Sequence, residues 1–228
     1  MRLLFNLKTI AFVALLLVSF EAPAQQRQPN DEKLAQEYFL KGDYAKAEAL
    51  YSTLINDNSR FTQVYPNYLK TLLALKEYRD AEKLVKKAQR KYPDQAGFEV
   101  DLGVVYTAAG NKANAEKHFE KMIAQLTPAR VRTVAAAFAQ AELPQYVEKT
   151  YLKGRSLETN DLAYINELMQ FCTSRGQNDK LLGEVLLLVQ ANPGQVSYAQ
   201  NMLQNSLKDE KEFELMERTL ISAVQKNW

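Results

Sequence analysis

The chain has few of the residue types on which reactive chemistry is built. Its 228 residues include one histidine and one cysteine, with 8 glycines, 7 prolines and one tryptophan. With Cys172 alone, no intramolecular disulfide can form. A lone thiol is best tolerated when buried, so a small buried apolar residue is expected there, with intermolecular pairing as the alternative. His118 lies in AEKHFEKM, one residue before the apolar Phe119, and is expected to face solvent or the flank of a helix. No second imidazole or thiol can complete a metal site with it, and an all-carboxylate site would need a cluster that the spacing does not provide. A hydrolase triad would need His118 beside both a serine and an acid, and no motif marks such a serine. The acid pairs Asp31-Glu32 and Asp209-Glu210 fall at a helix start and in a hairpin turn, where acids are ordinary. Gly103, Gly110, Gly176 and Gly194 stand singly, so there is no glycine-rich phosphate loop. No catalytic centre, cofactor or metal is expected, and an enzyme without a recognisable motif is left as an alternative.

An excess of one charge is also lacking. Lys and Arg number 29 against 27 Asp and Glu, a net charge of +2. The two signs are interleaved, apart from a short basic cluster at Lys86, Lys87, Arg90 and Lys91. Such a balance creates no long-range field to gather phosphates, so nucleic acid is not an expected partner.

Long apolar runs are absent except at the N-terminus. There Met1, Arg2 and Lys8 form a basic start, Thr9 to Phe20 (TIAFVALLLVSF) is almost wholly apolar, and Ala22-Pro23-Ala24 follows. This is the pattern of a secretory signal over 1–24, with cleavage expected before Gln25. A membrane anchor would need about 20 apolar residues, and this run stops short at Glu21. No cysteine stands near the cleavage point to carry a lipid. An exported protein, periplasmic or secreted, with no stable membrane insertion after cleavage, is therefore expected. Loss of Arg2, Lys8 and Glu21 would leave a net charge of +1.

After a polar lead-in over 25–30, nearly everything from Asp31 reads as helix: apolar residues recur at helical spacing and no stretch alternates like a strand. The helical pattern itself repeats. Tyr38, Gly42, Tyr44, Ala47, Tyr51 and Leu54 are followed 34 residues on by Leu72, Lys76, Tyr78, Ala81, Val85 and Ala88, closed by Pro93. A further 34 residues on stand Tyr106, Gly110, Ala115 and Phe119 after Leu102-Gly103, closed by Pro128. Ala47, Ala81 and Ala115 are expected where two helices cross too closely for a larger side chain. Gly42 and Gly110 are expected where the chain leaves the first helix, with Lys76 taking that place in the second unit. Six of the twelve tyrosines, Tyr38, Tyr44, Tyr51, Tyr78, Tyr106 and Tyr151, sit at interior positions of the pattern. Pro93 and Pro128 are expected to stop the second helices.

This period and these residues resemble the tetratricopeptide repeat, closely over about 31–128 and more weakly over 129–228. In the weaker part Val134, Ala135, Phe138, Val147 and Tyr151 outline a fourth hairpin, with Leu143-Pro144 in its turn. Tyr164, Leu168, Cys172, Gly176, Leu181, Val185 and Leu188 outline a fifth; Leu203, Leu207, Phe213, Met216, Leu220 and Ala223 outline a sixth. Val147, Leu181 and Met216 stand where alanine stood before, which predicts splayed or altered crossings. The fold class expected is an all-α solenoid of about six antiparallel helix pairs over 31–228, each burying its apolar face on the next. Right-handed superhelical curvature is implied by the resemblance.

The resemblance also implies that the first helix of each pair lines a concave surface. It directs Gln36, Phe39, Leu40, Asn67, Lys70, Leu73, Asp101, Val104, Arg132, Ala136, Asn166, Gln170, Asn201 and Asn205 toward that groove. Side-chain amides can donate to and accept from the backbone of an extended peptide, and apolar spots can seat its side chains. A protein or extended peptide is thus the expected partner of a non-catalytic scaffold, with a structural spacer of a larger assembly as the alternative. One subclass of the family grips a chaperone's C-terminal carboxylate. The matching places here hold Glu32, Gln36, Asn67, Val100 and Asp101, of which only Asn67 agrees and two acids would repel. In the last helix (FELMERTLISAVQKNW), Leu215, Ile221 and Trp228 lie outside the inward stripe. Self-association or partner binding through that end, or further repeats beyond it, is expected.

Overall fold

The computed structural model describes residues 28–206, together with Glu214, Met216, Arg218, Thr219, Ile221 and Ser222. The expected signal segment 1–24 lies outside the described residues, as do Leu207, Asp209, Glu210, Phe213, Leu215, Leu220, Ala223 and Trp228. Among the described residues there are eleven α-helices and two 3-10 turns, and no strand. The fold class is all-α, of the tetratricopeptide-like solenoid type, with helices packed as consecutive antiparallel pairs.

The chain forms two compact units, meeting in sequence between Glu77 and Tyr78. The first contains α1 (Gln28–Leu40), α2 (Tyr44–Leu54) and α3 (Phe61–Ala74). Helix α1 begins inside the stretch read as a polar lead-in. Helices α1 and α2 pack together, and α2 packs on α3. Ala35, Ala47, Tyr51, Phe61, Val64 and Leu72 are among the residues buried here, with the Tyr51 and Tyr68 rings 6.1 Å apart. Helix α3 continues through Pro66, whose ring is exposed.

The second unit contains α4 (Tyr78–Lys91), α5 (Ala96–Ala108), α6 (Lys112–Ala124), α7 (Val131–Gln140), α8 (Pro144–Ser156), α9 (Ile165–Arg175), α10 (Asn178–Ala191) and α11 (Val196–Ser206). Within it, α5–α6, α7–α8 and α9–α10 are the hairpins. First helices lie against first helices (α5 with α7, α9 with α11), and second against second (α6 with α8). One core gathers Ala115, Phe119, Phe138, Tyr146 and Val147; the other gathers Met169, Cys172, Leu181, Val185, Leu203 and Met216. The residues spaced as successors of the small alanine, Val147, Leu181 and Met216, are all buried.

The turn that ends each first helix is one motif used five times. Gly42, Lys76, Gly110, Glu142 and Gly176 all have positive φ, between 57° and 79°. In every case the amide of that residue donates to the carbonyl three back, and the next amide donates to the carbonyl five back. Asp43 N to Tyr38 O, Glu77 N to Leu72 O, Asn111 N to Tyr106 O, Leu143 N to Phe138 O and Gln177 N to Cys172 O all measure 2.9 Å. This Schellman arrangement satisfies carbonyls that the helix end would otherwise leave without partners. At Gly42, Gly110 and Gly176 a Cβ would meet nothing within 4 Å, so backbone conformation alone favours glycine. Lys76 and Glu142 adopt the same conformation with a side chain attached.

Two glycines act through space instead. A Cβ on Gly103 would come within 2.1 Å of the Phe119 ring, and one on Gly154 within 2.6 Å of Val131 and 2.9 Å of Tyr164. The prolines differ from expectation. Helix α6 ends at Ala124, before Pro128 can stop it; Pro128 instead opens a 3-10 turn over Pro128–Arg130. Pro144 is likewise the first residue of α8, where its ring is pre-organised for helix.

Two stability measurements check this account. Ala115 is 3% exposed between α5 and α6, so Ala115→Leu is expected to destabilise the chain by about 1–3 kcal/mol through overpacking. Wild-type stability in urea titration would show that the crossing has room to spare. Lys76→Gly and Glu142→Gly are each expected to stabilise by about 0.5–1 kcal/mol, because relief of the left-handed strain outweighs the added chain entropy. Gly110→Ala should shift the midpoint the other way.

Candidate binding surface

In the first unit the expected surface residues lie on α1 and α3. Gln36 and Lys70 are exposed, Phe39 and Asn67 are half-buried, and Leu40 is 74% exposed. The Phe39 ring meets Tyr44 edge-on at 5.9 Å. A shallow cleft of about 360 Å³ is lined by Glu32, Lys33, Gln36, Arg60 and Gln63. Glu32 lies 3.8 Å from Arg60, which is also 3.4 Å from Asp57. The acid at the carboxylate-clamp position is thus held by a cation of its own chain.

In the second unit the surface is built from α5, α7, α9 and α11. Asp101 is half-buried on α5, and Val104 packs against the core. Val100, another clamp position, is buried and cannot touch a ligand. The later first helices are joined by polar contacts one repeat apart. Arg132 Nε on α7 donates to Glu167 Oε1 on α9 at 2.7 Å, and its guanidinium lies 5.1 Å from the Tyr164 ring centroid. Tyr198 on α11 donates through its hydroxyl to Asn166 Oδ1 on α9 at 3.5 Å. Asn166, Gln170, Asn201 and Asn205 are all exposed, as is Ala136. Side-chain contacts therefore tie Arg132 to Glu167 and Asn166 to Tyr198. Glu167 and Tyr198 were missed in the sequence, because their partners stand 35 and 32 residues away.

Tyr164 precedes α9 with φ of 59°. Its ring is buried opposite Gly154, tilted against Tyr151 at 5.8 Å. Seating the ring in the space left by that glycine offsets the cost of a left-handed bulky residue.

The second helices are laced by ion pairs. Arg155 on α8 holds Glu184 on α10 through two bonds of 2.6 and 3.1 Å, both side chains about five-sixths buried. Lys180 on α10 reaches Glu148 on α8 at 2.7 Å, and Lys149 on α8 pairs with Glu120 on α6.

His118 is half-buried and sits on the flank, where α6 crosses α5 over Gly103. Its Nε2 donates to the Glu99 carbonyl at 2.7 Å, since that oxygen can only accept, and its ring meets Tyr106 edge-on at 6.2 Å. Cys172 is buried, and burial first, then Glu148 and Glu184, pushes its thiol above the ordinary value. Of the six interior tyrosines, Tyr51 is fully buried and the other five are half-buried. Among the described residues, no group of three or more His, Cys, Asp or Glu could hold a metal ion, and no helix is long and apolar enough to cross a membrane. At the C-terminal end Met216 is buried and Ile221 is 42% exposed.

No protein-family model matches the chain, and no curated protein matches it.

Burial pushes the phenols of Tyr51, Tyr146, Tyr151 and Tyr164 above their ordinary 10.0. In the unfolded chain these groups ionise at the ordinary value, so above it the unfolded state binds fewer protons than the folded one. Their contribution to stability is whole below that value and declines as pH rises through it. Melting temperature is expected to fall as pH rises above about 10, more steeply than in Tyr146→Phe. Parallel curves for the two proteins would remove Tyr146 from the linkage.

Proposed function

We propose that the chain is a non-catalytic scaffold acting outside the cytoplasm, whose first-helix faces bind a protein segment in extended form. The observation that carries this is the exposed amide set Asn166, Gln170, Asn201 and Asn205 on α9 and α11. Contacts between first helices steady its surroundings: Arg132 to Glu167, and Tyr198 to Asn166. Amides on a helical platform of this kind can donate to and accept from a peptide backbone without requiring a particular side-chain sequence. The helices are held by their apolar stripes and by the Arg155–Glu184 pair behind them, so the platform is arranged before a ligand arrives.

The apolar run at Thr9 to Phe20 and the small residues after it support export, and the repeat resemblance supports binding over catalysis. Ile221, 42% exposed near the C-terminal end, is a point through which a second copy or a partner attaches.

The test is a displayed library of unstructured peptides, selected against the purified chain and then measured by titration. Asn166→Ala with Asn201→Ala is expected to weaken the selected peptides at least about tenfold, the loss of one to two net hydrogen bonds, with unchanged helicity. Affinity unaffected by these substitutions would assign the amides to ordinary surface and favour a spacer role.

A further inference from the structure

Helix α4 (YRDAEKLVKKAQRK) carries Arg79, Lys83, Lys86, Lys87, Arg90 and Lys91 against Asp80 and Glu82, an excess of four positive charges. The whole chain has a net charge of +2, so everything outside this helix sums to −2. At 3.6 residues per turn, Arg79, Lys83, Lys86 and Arg90 fall within about 60° of arc and extend over about 16 Å. The opposite side is Ala81, Leu84, Val85 and Ala88, all buried. That side is fixed on α5: Gln89 Nε2 donates to the Phe98 carbonyl at 2.9 Å, and the Tyr92 and Phe98 rings lie 5.8 Å apart. The cationic stripe is therefore turned outward by packing.

Every exposed residue of α4 is charged, with no apolar or aromatic side chain among them. Lys83 pairs locally with Asp80 at 2.8 Å and Lys86 with Glu82 at 2.6 Å, and the helix as a whole keeps an excess of four positive charges.

We propose that the outward face of α4 docks on the surface of an anionic lipid bilayer. A specific protein interface takes its strength from buried aromatic or apolar anchors and pockets. This face exposes no apolar or aromatic anchor, and the cleft described above is lined by residues outside it. Long flexible cations in a row suit a diffuse negative surface, where each contributes without a fixed partner. The apolar stripe is occupied by the core, so the helix does not wedge into the lipid as a free amphipathic helix does. Binding is electrostatic, reversible and steeply dependent on salt.

The experiment is co-sedimentation of the full chain with vesicles of phosphatidylglycerol and phosphatidylcholine, compared with phosphatidylcholine alone. The apolar stretch 9–20 partitions into either lipid, so the quantity read is the preference for the anionic vesicles. That preference is expected to be at least about tenfold. It should vanish at about 0.5 M salt and fall stepwise in Arg79→Gln/Lys83→Gln and in Lys86→Gln/Arg90→Gln, each with an unchanged circular-dichroism spectrum. Lys112→Gln/Lys117→Gln on α6 should leave it in place. Equal partition onto both lipids, retention of the preference in both α4 variants, or an equal loss in the α6 variant would overturn the proposal. Variant-sensitive binding to polyglutamate without any lipid preference would overturn it too, assigning the face to an acidic polypeptide.

Discussion

A backbone residue at positive φ ends a first helix at five places in the chain, and the reversal of the backbone there follows from it. The left-handed residue reverses the chain within two positions while returning two of the last backbone carbonyls to hydrogen bonds. It recurs at 42, 76, 110, 142 and 176, which marks the repeat length. The residues that pack beneath it change: alanine at 47, 81 and 115, then valine at 147 and leucine at 181, all buried. The turn stays the same.

Above the turn, close approach governs. Gly103 leaves the space that the Phe119 ring fills, and Phe119 then meets Phe138 at 5.5 Å and Tyr146 at 4.7 Å, linking three helices through one cluster. Farther along, ion pairs join successive second helices: Glu120 with Lys149, Glu148 with Lys180, Glu184 with Arg155. The partly buried bidentate pair contributes more than the exposed ones, whose net worth is about 0–1 kcal/mol each.

The period was legible in the sequence because helical hairpins of constant length bring chemically similar residues back at constant intervals. Lys76 could be assigned to the turn only by counting from Gly42 and Gly110, and its φ of 61° agrees. Glu142 escaped, since the fourth turn comes after 32 residues and Leu143-Pro144 drew attention one step too late. Contacts between successive hairpins were not legible. Arg132 with Glu167, Tyr198 with Asn166 and Gly154 beneath Tyr164 depend on which rotamer faces which neighbour, and no local pattern encodes that. His118 illustrates the same gap, because a carbonyl acceptor 19 residues away has no side-chain signature. The candidate surface residues could be placed on their helices from the repeat, but what each touches could not.

The burial of Cys172 has a practical consequence for motion. The thiol lies in the second core of the second unit, among Met169, Leu181 and Leu203, with its proton held more tightly than usual. A reagent can reach it only when α9 and α10 separate, so its labelling rate is a clock for local opening of that hairpin. As the sole cysteine in the chain, it times that event without competition from any other site.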